Sequence, residues 1–166
     1  GELAFALKPI KGRMQMFEMV QRQAKVIIDF AHTPDAMEKV LKALKVRAKN
    51  RLIVIFGCGG DRDKSKRAIM GKIANEIADV AIVTDDNPRN EDPSVIRQEI
   101  MSGNGGLIEI DNRHRAILFG LDNIKTGDIL VILGKGHEEY QIIKNNKNHF
   151  SESEIVTKYL EEHAWV

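Results

Sequence analysis

Five short apolar runs punctuate the chain: Val26-Ile27-Ile28, Leu52-Ile53-Val54-Ile55-Phe56, Val80-Ala81-Ile82-Val83, Leu107-Ile108-Glu109-Ile110 and Ile129-Leu130-Val131-Ile132-Leu133. They are rich in β-branched residues and bounded by Gly, Asp or Asn, which predicts buried strands. Between them the apolar positions recur at helical spacing. Met37, Val40, Leu41 and Leu44 follow Pro34-Asp35, so a helix is expected there, with Thr33 or Asp35 as its cap. Further helices are predicted over 64–77, 93–101 and 113–121. A closing helix over 151–162 opens on Ser151-Glu152-Ser153-Glu154, which carries the Ser-x-x-Glu capping signature. Segments 14–20 and 140–150 read as extra strands at the edges, the second with Asn145-Asn146-Lys147-Asn148 as a polar turn.

Strand, helix, strand, repeated, predicts an α/β fold: a Rossmann-like, mostly parallel sheet with right-handed crossovers and helices on both faces. No internal repeat, low-complexity tract or long linker divides the chain, and 166 residues suit one domain spanning 1–166. Ligands of such sheets bind beyond the carboxyl ends of the strands, which directs attention to the loops found there.

Composition narrows the function classes. Hydrophobic residues make up 43% and charged residues 30%, with a net charge of +1, so nothing favours nucleic acid or a membrane surface as partner. No run matches a transmembrane helix and no signal peptide opens the chain. Cys58 is the only cysteine, which excludes a disulfide within the chain. These features predict a cytoplasmic location. The abrupt start at Gly1-Glu2-Leu3-Ala4-Phe5 leads to the expectation of a piece cut from a longer protein.

Four strand ends carry candidate chemistry. After the first comes Asp29-Phe30-Ala31-His32-Thr33-Pro34-Asp35. Its Asp and His could meet ribose hydroxyls or phosphate; equally, Asp29 and Thr33 could only cap the turn. After the second comes Gly57-Cys58-Gly59-Gly60-Asp61-Arg62-Asp63-Lys64, where glycine amides and a following helix could hold an anion. Arg62 takes the place of the third glycine of Gly-x-Gly-x-x-Gly, and the stretch is not a P-loop. Cys58 is better read as a buried thiol than as a nucleophile.

After the third strand, Thr84-Asp85-Asp86-Asn87-Pro88-Arg89-Asn90-Glu91-Asp92-Pro93 is stiffened by its prolines. The Asp pair suggests a metal, but Arg89 is a poor neighbour for one. An amide and a guanidinium on one rigid loop suit a carboxylate instead. After the fifth strand comes Gly134-Lys135-Gly136-His137-Glu138-Glu139-Tyr140, in which His137 could be a general base or merely structural.

Taken together, Gly12-Arg13-Met14, the Asp29–Asp35 stretch, Phe56 to Asp63, Asp86-Asn87-Pro88-Arg89 and Gly134-Lys135-Gly136-His137-Glu138 resemble the carboxyl-terminal domain of the Mur ligases, on the diaminopimelate-adding branch. The resemblance runs from about Lys11 to Leu160, with all five motifs in the family's order. It implies a ligase of three domains that builds the peptidoglycan peptide. The D-Glu carboxylate of UDP-MurNAc-L-Ala-D-Glu becomes an acyl phosphate at the expense of ATP, and the amine of the incoming amino acid attacks it. ATP and Mg2+ would be held mainly by a central domain whose P-loop and carbamylated lysine have no counterpart here. This domain alone is then expected to be inactive, with no catalytic residue and no metal ligand of its own.

The resemblance further implies that Arg62, Asn87, Arg89, Gly134 and Glu138 bind meso-diaminopimelate. Arg13, Asp29 and His32 would contact the nucleotide. Diaminopimelate keeps a carboxylate and an ammonium at its far end, and lysine lacks that carboxylate. Arg62 and Arg89 could hold the former and Glu138 the latter, each contact worth about 1.5–3 kcal/mol. Other implied partners are ATP and UDP-MurNAc-L-Ala-D-Glu, with no nucleic acid or membrane and a monomeric enzyme. Phe30 stands where many relatives have Tyr, and the motif does not separate diaminopimelate from lanthionine. The competing readings are a related amide ligase using another amino acid, such as one making cyanophycin or folate polyglutamate, and a free-standing nucleotide-binding domain.

Overall fold

A computed structural model describes residues 13–163. Gly12 of the first motif, and Lys11 where the resemblance begins, therefore lie outside the described residues. In chain order the elements are β1 (Gln15–Met19), a 3-10 turn (Val20–Arg22), β2 (Ala24–Asp29), α1 (Pro34–Arg47), β3 (Leu52–Phe56), α2 (Lys66–Ile77), β4 (Val80–Val83), α3 (Pro93–Met101), β5 (Ile108–Glu109), α4 (Arg113–Asp122), β6 (Ile129–Leu133), β7 (Tyr140–Ile143), β8 (Asn146–His149) and α5 (Glu152–Glu162). Six strands form one sheet in the order β1-β2-β6-β3-β4-β5. All neighbours pair in parallel except β1, which runs antiparallel to β2 at one edge.

The continuous apolar runs have a simple cause. Side chains alternate between faces along a strand, and here both faces are covered. Ile27, Val54, Phe56 and Val131 pack on one side against Met37 and Leu41 of α1 and Met70 of α2. Ile28, Ile53, Ile55 and Ile132 pack on the other against Ile117 of α4 and Val156 of α5. Every residue of β3 and β6 is buried. The helix caps follow side-chain chemistry: Thr33 Oγ1 accepts from the Ala36 amide at 3.2 Å, and Ser151 Oγ from the Glu154 amide at 3.2 Å. Only half of the predicted capping box forms, because the Glu154 carboxylate turns to His149 Nε2 at 2.8 Å.

Two expectations need correction. The fourth run predicts a buried strand, but β5 is two exposed residues at the sheet's edge, with Glu109 held by Arg97 Nε at 2.7 Å. Segment 140–150 does not extend the sheet. Its parent strand β6 sits between β2 and β3, so no edge is open beside it. The chain instead pairs with itself as the β7–β8 hairpin, turning at Lys144-Asn145, while Asn146, Lys147 and Asn148 lie within β8. That hairpin docks on the loop after β4: the Arg89 amide donates to Ile142 O at 3.1 Å, and the Lys144 amide to Arg89 O at 2.7 Å.

Beneath the strand ends a fully buried pair closes the fold. Arg113 Nε lies 2.6 Å from Glu152 Oε2, and its Nη2 donates to Leu133 O at 2.8 Å, tying α4, α5 and β6 together. Among the described residues, no helix is long and apolar enough to cross a membrane.

Candidate functional site

The loops after β2, β3, β4 and β6 converge at the carboxyl ends of those strands, where parallel sheets place their ligand sites. Between them opens a cleft of about 360 Å³, lined among others by Phe30, His32, Arg62, Asn87, Arg89 and Glu138.

Two of these loops lie backbone to backbone. The Gly60 amide donates to Asn87 O at 2.8 Å. A Cβ on Gly60 would fall 1.9 Å from Pro88 O, and one on Gly57 2.2 Å from Thr84 O. The glycines therefore serve close approach of the neighbouring loop, and Gly60's amide is spent on that loop rather than on a bound anion. From below, Arg67 donates to Gly59 O at 3.0 Å and to both oxygens of Glu91, clamping the two loops.

All five residues expected at diaminopimelate line this cleft or form its wall. Asn87 is 4% exposed, and its Oδ1 accepts from Lys135 Nζ at 2.7 Å and from the Ile142 amide at 2.9 Å. Arg89 has a left-handed backbone, φ 52°, and its Nη1 donates to Gly60 O at 2.9 Å. Arg62 is exposed and donates to Asp61 O at 2.9 Å. Gly134 has φ 114°, and a Cβ there would sit 2.8 Å from Asp86 Oδ2, so the position admits only glycine without rearrangement. Glu138 Oε1 is buried with no hydrogen bond, 3.8 Å from Lys135 Nζ. It keeps an ion-pair distance to that lysine without a hydrogen bond.

The three residues expected at the nucleotide are grouped differently. Asp29 is buried, and its oxygens accept from the Met14 amide at 2.8 Å and the Ala31 amide at 2.9 Å. Its carboxylate thus holds the turn, the blander of the two roles weighed for it. It also fixes the start of β1, which sets the Arg13 guanidinium 5.5 Å from the centre of the Phe30 ring. His32 meets the same ring edge-on at 4.7 Å, and His137 lies 6.0 Å from it. Of the three, only His32 lines the cleft; Arg13 stands beside it through Phe30, and Asp29 lies beneath. His32 Nδ1 is 3.1 Å from Phe30 O, and a carbonyl only accepts, so Nδ1 carries the hydrogen.

Several site residues escape the sequence reading. Lys66, Asp63 and Asp86 also line the cleft, balancing three cations (Arg62, Lys66, Arg89) against three carboxylates (Asp63, Asp86, Glu138). That arrangement suits a zwitterion. Asp86 stands in the Asp-Asn-Pro-Arg motif but was given no ligand role beyond half of a possible metal pair, and the pair diverges: Asp85 turns away to Arg97 Nη1 at 2.5 Å. Burial pushes the Asp85 carboxyl above its ordinary range, against the pull of Arg97. Among the described residues no three His, Cys, Asp or Glu side chains gather as a metal would require. Cys58 is buried with its Sγ 3.8 Å from Met70 Sδ, and burial pushes its thiol up to about 12.

The family described as Mur ligase, glutamate ligase domain, matches residues 12–136. A Rickettsia bellii protein named UDP-N-acetylmuramoyl-L-alanyl-D-glutamate--2,6-diaminopimelate ligase is 55% identical over 155 residues, covering 91% of this chain and 32% of that protein. A Vibrio vulnificus protein of the same name is 47% identical over 161 residues, covering 95% of this chain and 32% of the relative. The chain thus spans about a third of the length of these relatives. A solved structure of a ligase with that name superposes with TM-score 0.87 at 39% identity, covering 98% of this chain and 34% of the other.

Proposed function

Since the chain belongs to the Mur ligase family, as its glutamate ligase domain, we propose that it is the amino-acid-binding domain of a ligase that adds meso-diaminopimelate to UDP-MurNAc-L-Ala-D-Glu. The observation that carries this reading is the cleft's opposed charges. Arg62 and Arg89 stand on two of its loops, and Glu138 brings a carboxylate from another, its Oε1 without a hydrogen bond. The guanidinium groups suit the far carboxylate of diaminopimelate, and Glu138 suits its far ammonium.

In this reading the domain contributes orientation. Holding both charged groups at the far end leaves the near amine free to attack an acyl phosphate formed elsewhere in the ligase. No side chain of the cleft is required, in this reading, as a base for that amine. Arg13 and His32 would meet the nucleotide; with Nδ1 bound to Phe30 O, the other imidazole nitrogen donates to a phosphate only when the ring is protonated. Asp29 would act there indirectly, by fixing Arg13. In this reading no step is assigned to the magnesium ion through this domain. ATP and Mg2+ as co-substrate and cofactor held mainly by the rest of the ligase, a cytoplasmic location and a monomeric enzyme belong to the same proposal.

Titrating the chain with meso-diaminopimelate and then L-lysine, read by amide shifts in NMR, tests the assignment. Shifts at Arg62, Asn87, Arg89 and Glu138 with the first and little change with the second support it. Equal responses to both would remove the argument for specificity.

A further inference from the structure

Lys135 is fully buried beneath the cleft, a costly place for an ammonium. Its Nζ donates to Asn87 Oδ1 at 2.7 Å and to Tyr140 O at 3.1 Å, and lies 3.6 Å from Asp86 Oδ1 and 3.8 Å from Glu138 Oε1. One cation therefore touches three cleft residues from two loops and the start of the β7–β8 hairpin.

The contact with Asn87 decides something. An asparagine side chain has one end that accepts and one that donates, and its surroundings determine which way it turns. Here one end meets an ammonium and a backbone amide, Lys135 Nζ and Ile142 N, both able only to donate. That end has to be the carbonyl. Nδ2 is left as the other end, and among the described residues it donates to no protein acceptor. Were an apolar residue to replace Lys135, the Ile142 amide alone would oppose a flip of the side chain.

We propose that Lys135 is a positioning residue. It holds Asn87 with its Nδ2 donors presented to the cleft, and so sets the site's preference for an amino acid that ends in a carboxylate. This rests on the reading of the cleft as the amino-acid site. The lysine itself touches no ligand; its effect passes through Asn87 and through the two carboxylates it anchors.

The test uses the full ligase and three variants, measuring KM for meso-diaminopimelate and for ATP, and the thermal midpoint. Lys135→Met should raise KM for diaminopimelate by about tenfold or more, the effect of losing one charge-assisted contact. KM for ATP should stay within about twofold. Asn87→Asp retains an oxygen toward Lys135 and Ile142 and should keep the midpoint. It also turns a second, anionic oxygen to the substrate carboxylate, so KM for diaminopimelate should rise at least as far. Unchanged diaminopimelate KM in folded Lys135→Met overturns the proposal. So does Asn87→Asp that binds as the parent does, or that loses its midpoint; this variant decides alone if Lys135→Met fails to fold. Arg89→Ala separates the two layers. If it raises diaminopimelate KM while the other two do not, only the positioning role fails. If it too has no effect, the amino-acid site itself is wrong.

Discussion

Glu91 grips Arg67 with both carboxylate oxygens, Oε2 2.8 Å from Nη2 and Oε1 3.1 Å from Nη1. Arg67 lies on α2 and is fully buried; Glu91 belongs to the loop that carries Asn87 and Arg89. The same Glu91 accepts from the Asp61 amide at 2.6 Å, next to Arg62. The clamp therefore sets where both arginines of the cleft begin.

It also predicts an acid response. The hydrogen bond from Arg67, joined by the Asp61 amide, holds the Glu91 carboxyl down at about 2 from its ordinary 4.5, despite partial burial. Its folded value lies below its unfolded one, so the stabilisation is complete above about 4.5 and disappears as pH falls toward 2. Denaturation midpoints should drop across that window. Glu91→Gln should be less stable than the parent at neutral pH and show a flatter profile between those limits. Parallel profiles for the two proteins would show that Glu91 is not the titrating group.

Gly60→Ala places a methyl 1.9 Å from Pro88 O, a backbone atom that cannot step aside alone. The cost should be about 1–3 kcal/mol, as for other forced overpacking. In the ligase, KM for the amino acid should rise more than KM for ATP, because the displaced loop carries Asn87 and Arg89. Gly105→Ala meets nothing within 4 Å and should fall within about 0.5 kcal/mol of the parent. Urea denaturation of the two variants checks the contrast.

Cys58 lines the cleft, yet its thiol is pushed up to about 12 by burial. Alkylation by iodoacetamide at pH 8 should therefore be slow in the native protein and fast in urea, since the thiolate is the reactive form. Rapid native labelling, read by mass spectrometry, would contradict this environment.

Much of the fold is legible in the sequence because burial on both faces writes itself as unbroken apolar runs. Leu52 to Phe56 and Ile129 to Leu133 are strands with the predicted bounds. Ile108 and Glu109 mislead because an edge strand can be short, and the apolar letters around it then read as a longer buried one. The 140–150 hairpin was placed at the sheet's edge because strand order, which puts β6 in the interior, is not written locally.

The site divides in the same way. Arg62, Asn87, Arg89, Gly134 and Glu138 stand in loops that end strands, where the parallel-sheet rule looks, and the structure brings them to one cleft. Arg67 and Arg113 give no such signal. A charge in a helical pattern reads as solvent-facing, while their partners Glu91 and Glu152 stand 24 and 39 residues away. Asp29 shows the opposite difficulty. A carboxylate at a strand end reads equally as a ligand contact or a turn cap, and only the coordinates reveal that two backbone amides donate to it.

The most direct test of the proposed function compares kcat/KM for meso-diaminopimelate and for L-lysine in the ligase carrying this domain, before and after Arg89→Ala. The parent should prefer diaminopimelate strongly. The variant should lose about ten- to a hundredfold with diaminopimelate, the value of a charge-assisted hydrogen bond, and change little with lysine. KM for ATP should stay where it was. An unchanged ratio between the two amino acids would contradict the assignment of this cleft to the far carboxylate of diaminopimelate.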